Sequence, residues 1–218
     1  MARQPYLPHF SHLDFAVGSG VLDNRPELAA CLGRCIAVWS YADNEMGHLL
    51  GILLETDAPV AQEVFGQLRR SAKQVEVLEI AARHKLVDRE LELFNTIVRA
   101  YKYLENERNC LAHGCFGVAS NDESVLFWLA VKDHVEFQTT VLSKMANGID
   151  VEDPHEHLRK RMYVYKSSDL SGIEDDMKSF RKLAGQFNVY LRFKTVPSRS
   201  EKLAEMEKSP LVVRFKKA

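Results

Sequence analysis

Residues 24–55, NRPELAACLGRCIAVWSYADNEMGHLLGILLE, carry the first strong helical pattern of the chain. Asn24 is a favourable N-cap residue, and Pro26 stands in the first turn, where a helix tolerates proline. The spacing predicts one long helix that ends near Glu55 and forms the spine of a helical bundle. Its apolar residues recur at alternating spacings of three and four, on one helix face: Leu28, Leu32, Cys35, Trp39, Ala42, Met46, Leu49 and Leu53.

The segments that follow predict further helices of the same bundle. Apolar residues within 60–68 indicate a short second helix, and those within 75–86 indicate a third, either separate from the second or continuous with it. Asp88 is a suitable N-cap for a fourth helix, which we expect to end at Gly114 as its C′ residue. A last helix opens near Ser168 and carries an apolar stripe as far as Leu191.

Between the fourth helix and the last one, the pattern changes to that of strands. Short apolar runs at 115–119 and 124–132 flank the polar segment 120–123, which is typical of a turn between two strands. Further strands are expected at 135–142 and 162–165, with a polar loop over 147–160. The expected fold is therefore mainly α, a helical bundle with a small antiparallel β insertion, residues 115–166, before the last helix.

We expect one domain with a short segment on either side. Residues 1–23 are punctuated by proline and glycine and are expected to be irregular. Residues 24–192 form the single helical-bundle domain, which includes the β insertion. From Arg192 onward, eight Lys or Arg residues stand against three Glu residues. Residues 193–218 are therefore expected to form a mobile basic tail.

The composition excludes several classes of protein. With 29 basic and 30 acidic residues the net charge is −1, so overall charge gives no argument for a nucleic-acid partner, although a local basic cluster can still bind RNA. The N-terminus lacks the apolar region of a signal peptide, and no segment approaches a membrane span. The four cysteines are too few for a disulfide scaffold. We expect reduced thiols, a cytoplasmic location and no membrane partner.

The end of the fourth helix, ERNCLAHG at residues 107–114, carries the side chains best suited to chemistry. At about 100° per residue, Asn109 and His113 share a helix face and Arg108 lies beside it. Arg supplies a fixed cationic fork that suits phosphate. A histidine can take a proton from a ribose 2′-hydroxyl or give one to a leaving oxygen, and Asn can hold the imidazole or a substrate oxygen. These residues suit 2′-hydroxyl attack on the adjacent phosphate without a metal.

The Arg-Asn-x-x-x-His-Gly pattern of residues 108–114, late in a helical bundle, resembles that of the HEPN superfamily, the higher-eukaryote and prokaryote nucleotide-binding domains. The long first helix with Trp39 and Glu45 and the closing helix fit as well. The resemblance covers about residues 24–114 and 167–192, whereas the strands between them depart from the minimal HEPN bundle. It implies Arg108, Asn109 and His113 as catalytic residues, with Glu45 in support.

The same resemblance implies a metal-independent endoribonuclease in a toxin–antitoxin or phage-defence setting. Related domains form homodimers in which both motifs face one cleft, so a homodimer is expected. RNA is the implied substrate, and an antitoxin or a nucleotide is a further partner. No cofactor is expected.

Other interpretations of the same residues stay open. Arg108 could cap the end of its helix or pair with Glu105 or Glu45, and His113 is well placed against the helix dipole. The chain would then be a non-catalytic dimeric module that binds nucleotide or protein. The polar run at 43–45 could orient the motif across the bundle or simply face solvent. The clusters Cys110, His113, Cys115 and Cys31, Cys35 lack a second spaced ligand pair, so no metal is expected.

Overall fold

In the computed structural model of the chain, residues 3–68, 71–149, 155–193 and 199–216 are described. The protein is mainly helical with a small antiparallel sheet, which confirms the predicted fold class. The helices are α1 (Pro26–Leu54), α2 (Ala58–Gln67), α3 (Ser71–Lys85), α4 (Asp88–His113), α5 (Val131–Ala146), α6 (Glu156–Arg159), α7 (Ser167–Arg192), α8 (Arg199–Glu207) and α9 (Pro210–Lys216). The strands are β1 (Gln4–Pro5), β2 (Phe15–Val17), β3 (Gly114–Ala119), β4 (Val125–Ala130) and β5 (Tyr163–Lys166).

The long helices lie where the apolar stripes predict them. α1 starts at Pro26 and α4 starts at Asp88, each within one residue of the start that its predicted N-cap implies. α2 ends at Gln67, where the N–H of Leu68 donates to the carbonyl of Phe65, so α2 and α3 are separate helices. Among the helices described, none is long and apolar enough to cross a membrane.

The sheet has the strand order β1-β5-β4-β3-β2, and every neighbouring pair is antiparallel. β3 and β4 form the predicted hairpin, with Phe116 opposite Trp128. β4 is the central strand, and its residues Val125 to Leu129 are buried. The strands predicted at 115–119 and 162–165 are therefore confirmed, and so is the one at 124–132 except for residues 131 and 132, which begin α5.

The prediction of an irregular N-terminal segment is wrong in two places. β1 pairs with β5 and β2 pairs with β3, so the segment supplies both edges of the sheet. The Tyr6 hydroxyl donates to the Leu13 carbonyl at 2.8 Å and fastens the connection between the two strands. Strands of two and three residues are too short to show an alternating pattern. Their formation depends on open backbone groups of the neighbouring strands.

The prediction of a strand at 135–142 is also wrong, because this segment lies inside α5. Its β-branched residues favour a strand only weakly, and tertiary contacts outweigh that preference. Asp133 and Glu136, one helical turn apart, both accept from the Arg161 guanidinium. The Phe137 ring stacks on His155 at 5.9 Å. The polar loop expected over 147–160 contains the short helix α6; its residues 150–154 lie outside the described residues.

The expectation of a mobile basic tail is wrong as well, because α8 and α9 are packed helices. Arg89 forms a bidentate ion pair with Glu207, and Arg99 donates to the Phe215 carbonyl at 2.9 Å. The apolar helical pattern of this segment is weak in the sequence, because apolar positions are few among so many charged residues. The tail nonetheless buries apolar side chains at helical spacing: Leu203, Met206, Leu211, Val212 and Phe215.

The chain divides into two compact units. The first comprises residues 1–36 and 106–174, and the second comprises 37–105 and 175–218. The first unit contains the sheet, and Tyr6, Phe15 and Phe127 pack edge to face within it at 5.7 Å. Its core cluster consists of Tyr6, Phe10, Leu13, Ala119, Val125, Phe127, Met162 and Val164.

The second unit has a helical core built on aromatic rings. Trp39 stacks on Tyr101 at 5.1 Å, and Tyr101 contacts Phe180 at 5.9 Å. The helix phases read from the sequence predict that these rings point inward, and the structure confirms their burial. Other apolar residues of this unit that the stripes predict to be internal are also buried: Met46, Phe94, Leu104 and Phe187.

Candidate active site at the end of α4

The last two turns of α4 have two chemically different faces. Glu107 and Leu111 are buried, with exposed fractions of 1% and 4%, so they mark the inward face. Asn109 and His113 lie on the opposite face, where Asn109 is half-buried and His113 is exposed. Residues four apart on a helix lie one above the other. The helix therefore holds Asn109 and His113 together on an open face.

The imidazole of His113 is available for chemistry. It is exposed in the last turn of α4. Within the described ranges, no hydrogen bond or ion pair engages it. His113 is therefore open to a group that approaches from solvent.

Arg108 lies on the border between the two faces. Its side chain is half-buried, and its Nε atom is shielded from solvent. Asn109 follows it directly and is half-buried too. The structure thus brings Arg108, Asn109 and His113 onto the final turns of one helix. His113 is the most exposed of the three, and the Nε atom of Arg108 is shielded from solvent.

Glu45, the predicted supporting residue, lies in the second unit. Its Oε2 accepts from Asn188 Nδ2 at 2.9 Å, and its backbone carbonyl accepts from the same amide. Asp43 accepts from the Tyr101 hydroxyl. Both carboxylates of the polar run therefore contact neighbouring helices instead of facing solvent alone. A role for Glu45 in orienting the motif stays a prediction.

A charged cluster that sequence reasoning missed lies on the inward face of α4. Burial raises the pKa of the Tyr165 hydroxyl far above its ordinary value; the Arg3 cation opposes this rise, and the negative charge of Glu107 adds to it. The Arg3 guanidinium lies 3.9 Å from the centre of the Trp128 ring. The position of Glu107, four residues before the buried Leu111, was the signal that could have placed this carboxylate inside.

Gly114 ends the motif for a different reason from the one predicted. The residue has no positive φ and is the first residue of β3, so it is not a left-handed C′ residue. The Trp128 Nε1–H donates to the Cys110 carbonyl at 2.7 Å and thereby satisfies one of the last carbonyls of α4. A Cβ on Gly114 would lie 1.9 Å from that Nε1 atom. Glycine is required here because the indole approaches so closely.

A cavity of about 290 Å³ opens directly after the motif. Its walls are formed by Gly114, Cys115 and Phe116, by residues 17–19, 21 and 22, and by His134 near the start of α5. Burial raises the pKa of the Cys115 thiol, so this thiol stays protonated near pH 7. His134 was not among the predicted site residues, because only the fold brings α5 next to the start of β3.

The described side chains that can ligate metals do not form a metal centre. All four cysteines are free thiols. In the described parts of the chain, no group of three or more His, Cys, Asp or Glu side chains is arranged to hold a metal ion.

Comparisons of this chain with protein-family models, with curated proteins and with solved structures find no match. The function of the site is therefore inferred from its residues and their geometry.

Proposed function

We propose that this protein is a metal-independent endoribonuclease of the HEPN type, with its active site at Arg108, Asn109 and His113. The observation that carries the proposal is the open position of His113, which shares an exposed helix face with Asn109 and follows Arg108 by little more than one turn. The inward face of the same turns is occupied by buried residues. Substrate can therefore approach the motif from one side only.

Each residue has a role that follows from its chemistry. The ribose 2′-oxygen attacks the adjacent phosphorus, the bond to the 5′-oxygen breaks, and the products are a 2′,3′-cyclic phosphate and a 5′-hydroxyl. Arg108 stabilises the negative charge that develops on the phosphoryl oxygens. His113 transfers a proton in this step, and Asn109 holds a substrate oxygen or the imidazole. The attacking oxygen is internal to the substrate, so no metal-bound water is needed.

The proposal predicts cleavage of single-stranded RNA in the presence of EDTA. The new ends should carry 2′,3′-cyclic phosphate, which mass spectrometry of short oligonucleotide products detects. DNA lacks the 2′-hydroxyl and should stay intact. If the wild-type protein cleaves mixed RNA no faster than the His113→Ala, Arg108→Ala double variant, the non-catalytic nucleotide-binding or protein-interaction module replaces the nuclease. A toxin–antitoxin or phage-defence setting in the cytoplasm belongs to this same proposal.

We also propose a homodimer with the open face of α4 close to the two-fold axis. The exposed Ala112 lies beside Asn109 on this face, and its small side chain leaves room for close helix approach. Light scattering at micromolar concentration should give twice the chain mass. Ala112→Arg, which puts two like charges at the axis, should give the chain mass, whereas Ala72→Arg, at an exposed position of α3, should leave assembly unchanged. A wild-type protein that scatters as a monomer contradicts the proposal.

A further inference from the structure

We propose that His134 is a second catalytic residue, the general base for the 2′-hydroxyl, and that the cavity beside it seats one nucleotide of the RNA. This inference rests on the proposed nuclease function. The reaction moves two protons, one from the 2′-oxygen and one to the 5′-oxygen, on opposite sides of the phosphorus. One imidazole cannot occupy both sides at once.

The two histidines approach the same place from different elements. His134 lines the cavity together with Gly114 and Cys115. These two residues directly follow His113, and consecutive Cα atoms lie about 3.8 Å apart. His113 therefore stands within one residue of the cavity wall. The proposal therefore assigns the imidazoles of His113 and His134 to one phosphate within a single protomer.

The cavity has the chemistry of a nucleotide site. Its volume of about 290 Å³ lies near the lower end of small-ligand pockets, about 300 Å³, so it suits one nucleotide. Phe116 is half-buried and offers a ring for a base to stack on. No acidic side chain is among the residues of its wall, so nothing there repels a phosphate. Ser19, between two glycines, adds a small polar group.

The positions of the two histidines relative to the cavity distinguish their roles. His134 lines the cavity and is assigned to the 2′-hydroxyl of the bound nucleotide. His113, in the last turn of α4, precedes the cavity wall by one residue and is assigned to the leaving group. Across the part of the chain that the structure describes, the half-buried His134 makes no hydrogen bond or ion pair.

The step balances on these two groups. His134 takes the 2′-hydroxyl proton as the oxygen–phosphorus bond forms. His113 gives its proton to the 5′-oxygen as the phosphorus–oxygen bond breaks. The net charge of the pair is unchanged, and exchange of both protons with water restores the starting state.

Two substrates separate the two roles, namely a short RNA and uridine 3′-(4-nitrophenyl phosphate), whose leaving group needs no proton. His134→Ala should slow both by about 10²-fold or more, and added imidazole should restore activity in proportion to the basicity of the imidazole used. His113→Ala should slow only the RNA. His84→Ala, which removes an exposed histidine from the last turn of α3, is the matched control and should act as wild type. The assignment of His134 as the general base is overturned if His134→Ala cleaves as wild type, or if no imidazole restores the activity that this variant loses.

A binding measurement separates this inference from the proposed function. Uridine 3′-monophosphate added to the wild-type protein should shift the NMR ring signals of His134 and leave those of His84 in place. His134→Asn preserves size and controls for folding. If the wild-type protein cleaves neither substrate, the nuclease and the base fail together, and a His134 shift then supports the nucleotide seat alone. If the protein cleaves RNA but uridine 3′-monophosphate does not shift the His134 ring signals, the nucleotide site in this cavity is overturned.

Discussion

Replacing His113 by alanine is expected to slow RNA cleavage by about 10²-fold or more, the usual contribution of a positioned proton-transfer group. The fold should be unaffected, because the side chain is exposed and no hydrogen bond engages it in the described structure. The rate of cleavage in EDTA and the thermal melting curve are measured on the same preparations. The His84→Ala variant loses an exposed histidine from a comparable helix end and should keep the wild-type rate.

The outcome distinguishes the chemical role of the motif from a structural one. If His113→Ala melts well below the wild type, the histidine closes the end of α4, as the alternative interpretation holds. If rate and melting both stay at wild-type values, His113 takes no part in cleavage. Arg108 is tested by Arg108→Lys, which keeps the charge but loses the planar fork that grips a phosphate. Because Arg108 is half-buried, its variant needs the same melting control.

Replacing Phe180 by alanine is expected to lower the free energy of unfolding by about 3–5 kcal/mol. Phe180 is 0% exposed and contacts the Tyr101 ring. Its removal leaves a cavity that the stacked rings of the second unit cannot readily fill. Phe94, also 0% exposed, should show a loss of the same size. Chemical denaturation followed by circular dichroism measures both.

A position on the same helix provides the control for this prediction. Val189 of α7 is 55% exposed, and Val189→Ala should change stability by no more than about 0.5 kcal/mol. If Phe180→Ala costs less than about 1 kcal/mol, the side chain is not part of a tightly packed core. The helix phases on which the whole bundle is built would then be incorrect.

Part of the candidate site was predictable from the sequence. The face that Asn109 shares with His113 follows from helical geometry once α4 is recognised, and α4 is recognisable from its apolar stripe. The interior position of Glu107 follows from the same geometry, although a charged residue gives no local sign of burial. The position of His134 beside the cavity could not be predicted from the sequence. The β-branched residues at 135–142 favour a strand, so the pattern does not indicate the helix α5 that carries His134.

The long helices and the central hairpin of this protein are readable from the order of its residues. Burial of one face imposes a period of 3.6 or 2 on neighbouring residues, so α1, α4, α7, β3 and β4 are encoded locally. The features that need a distant partner are visible only in the folded chain. Trp128 explains why residue 114 is glycine, and the edges of the sheet recruit β1 and β2. Likewise, partners far along the chain hold α8 and α9, and the cavity joins segments more than a hundred residues apart. Such contacts leave no period in the sequence, because each depends on one pair of residues that only folding brings together.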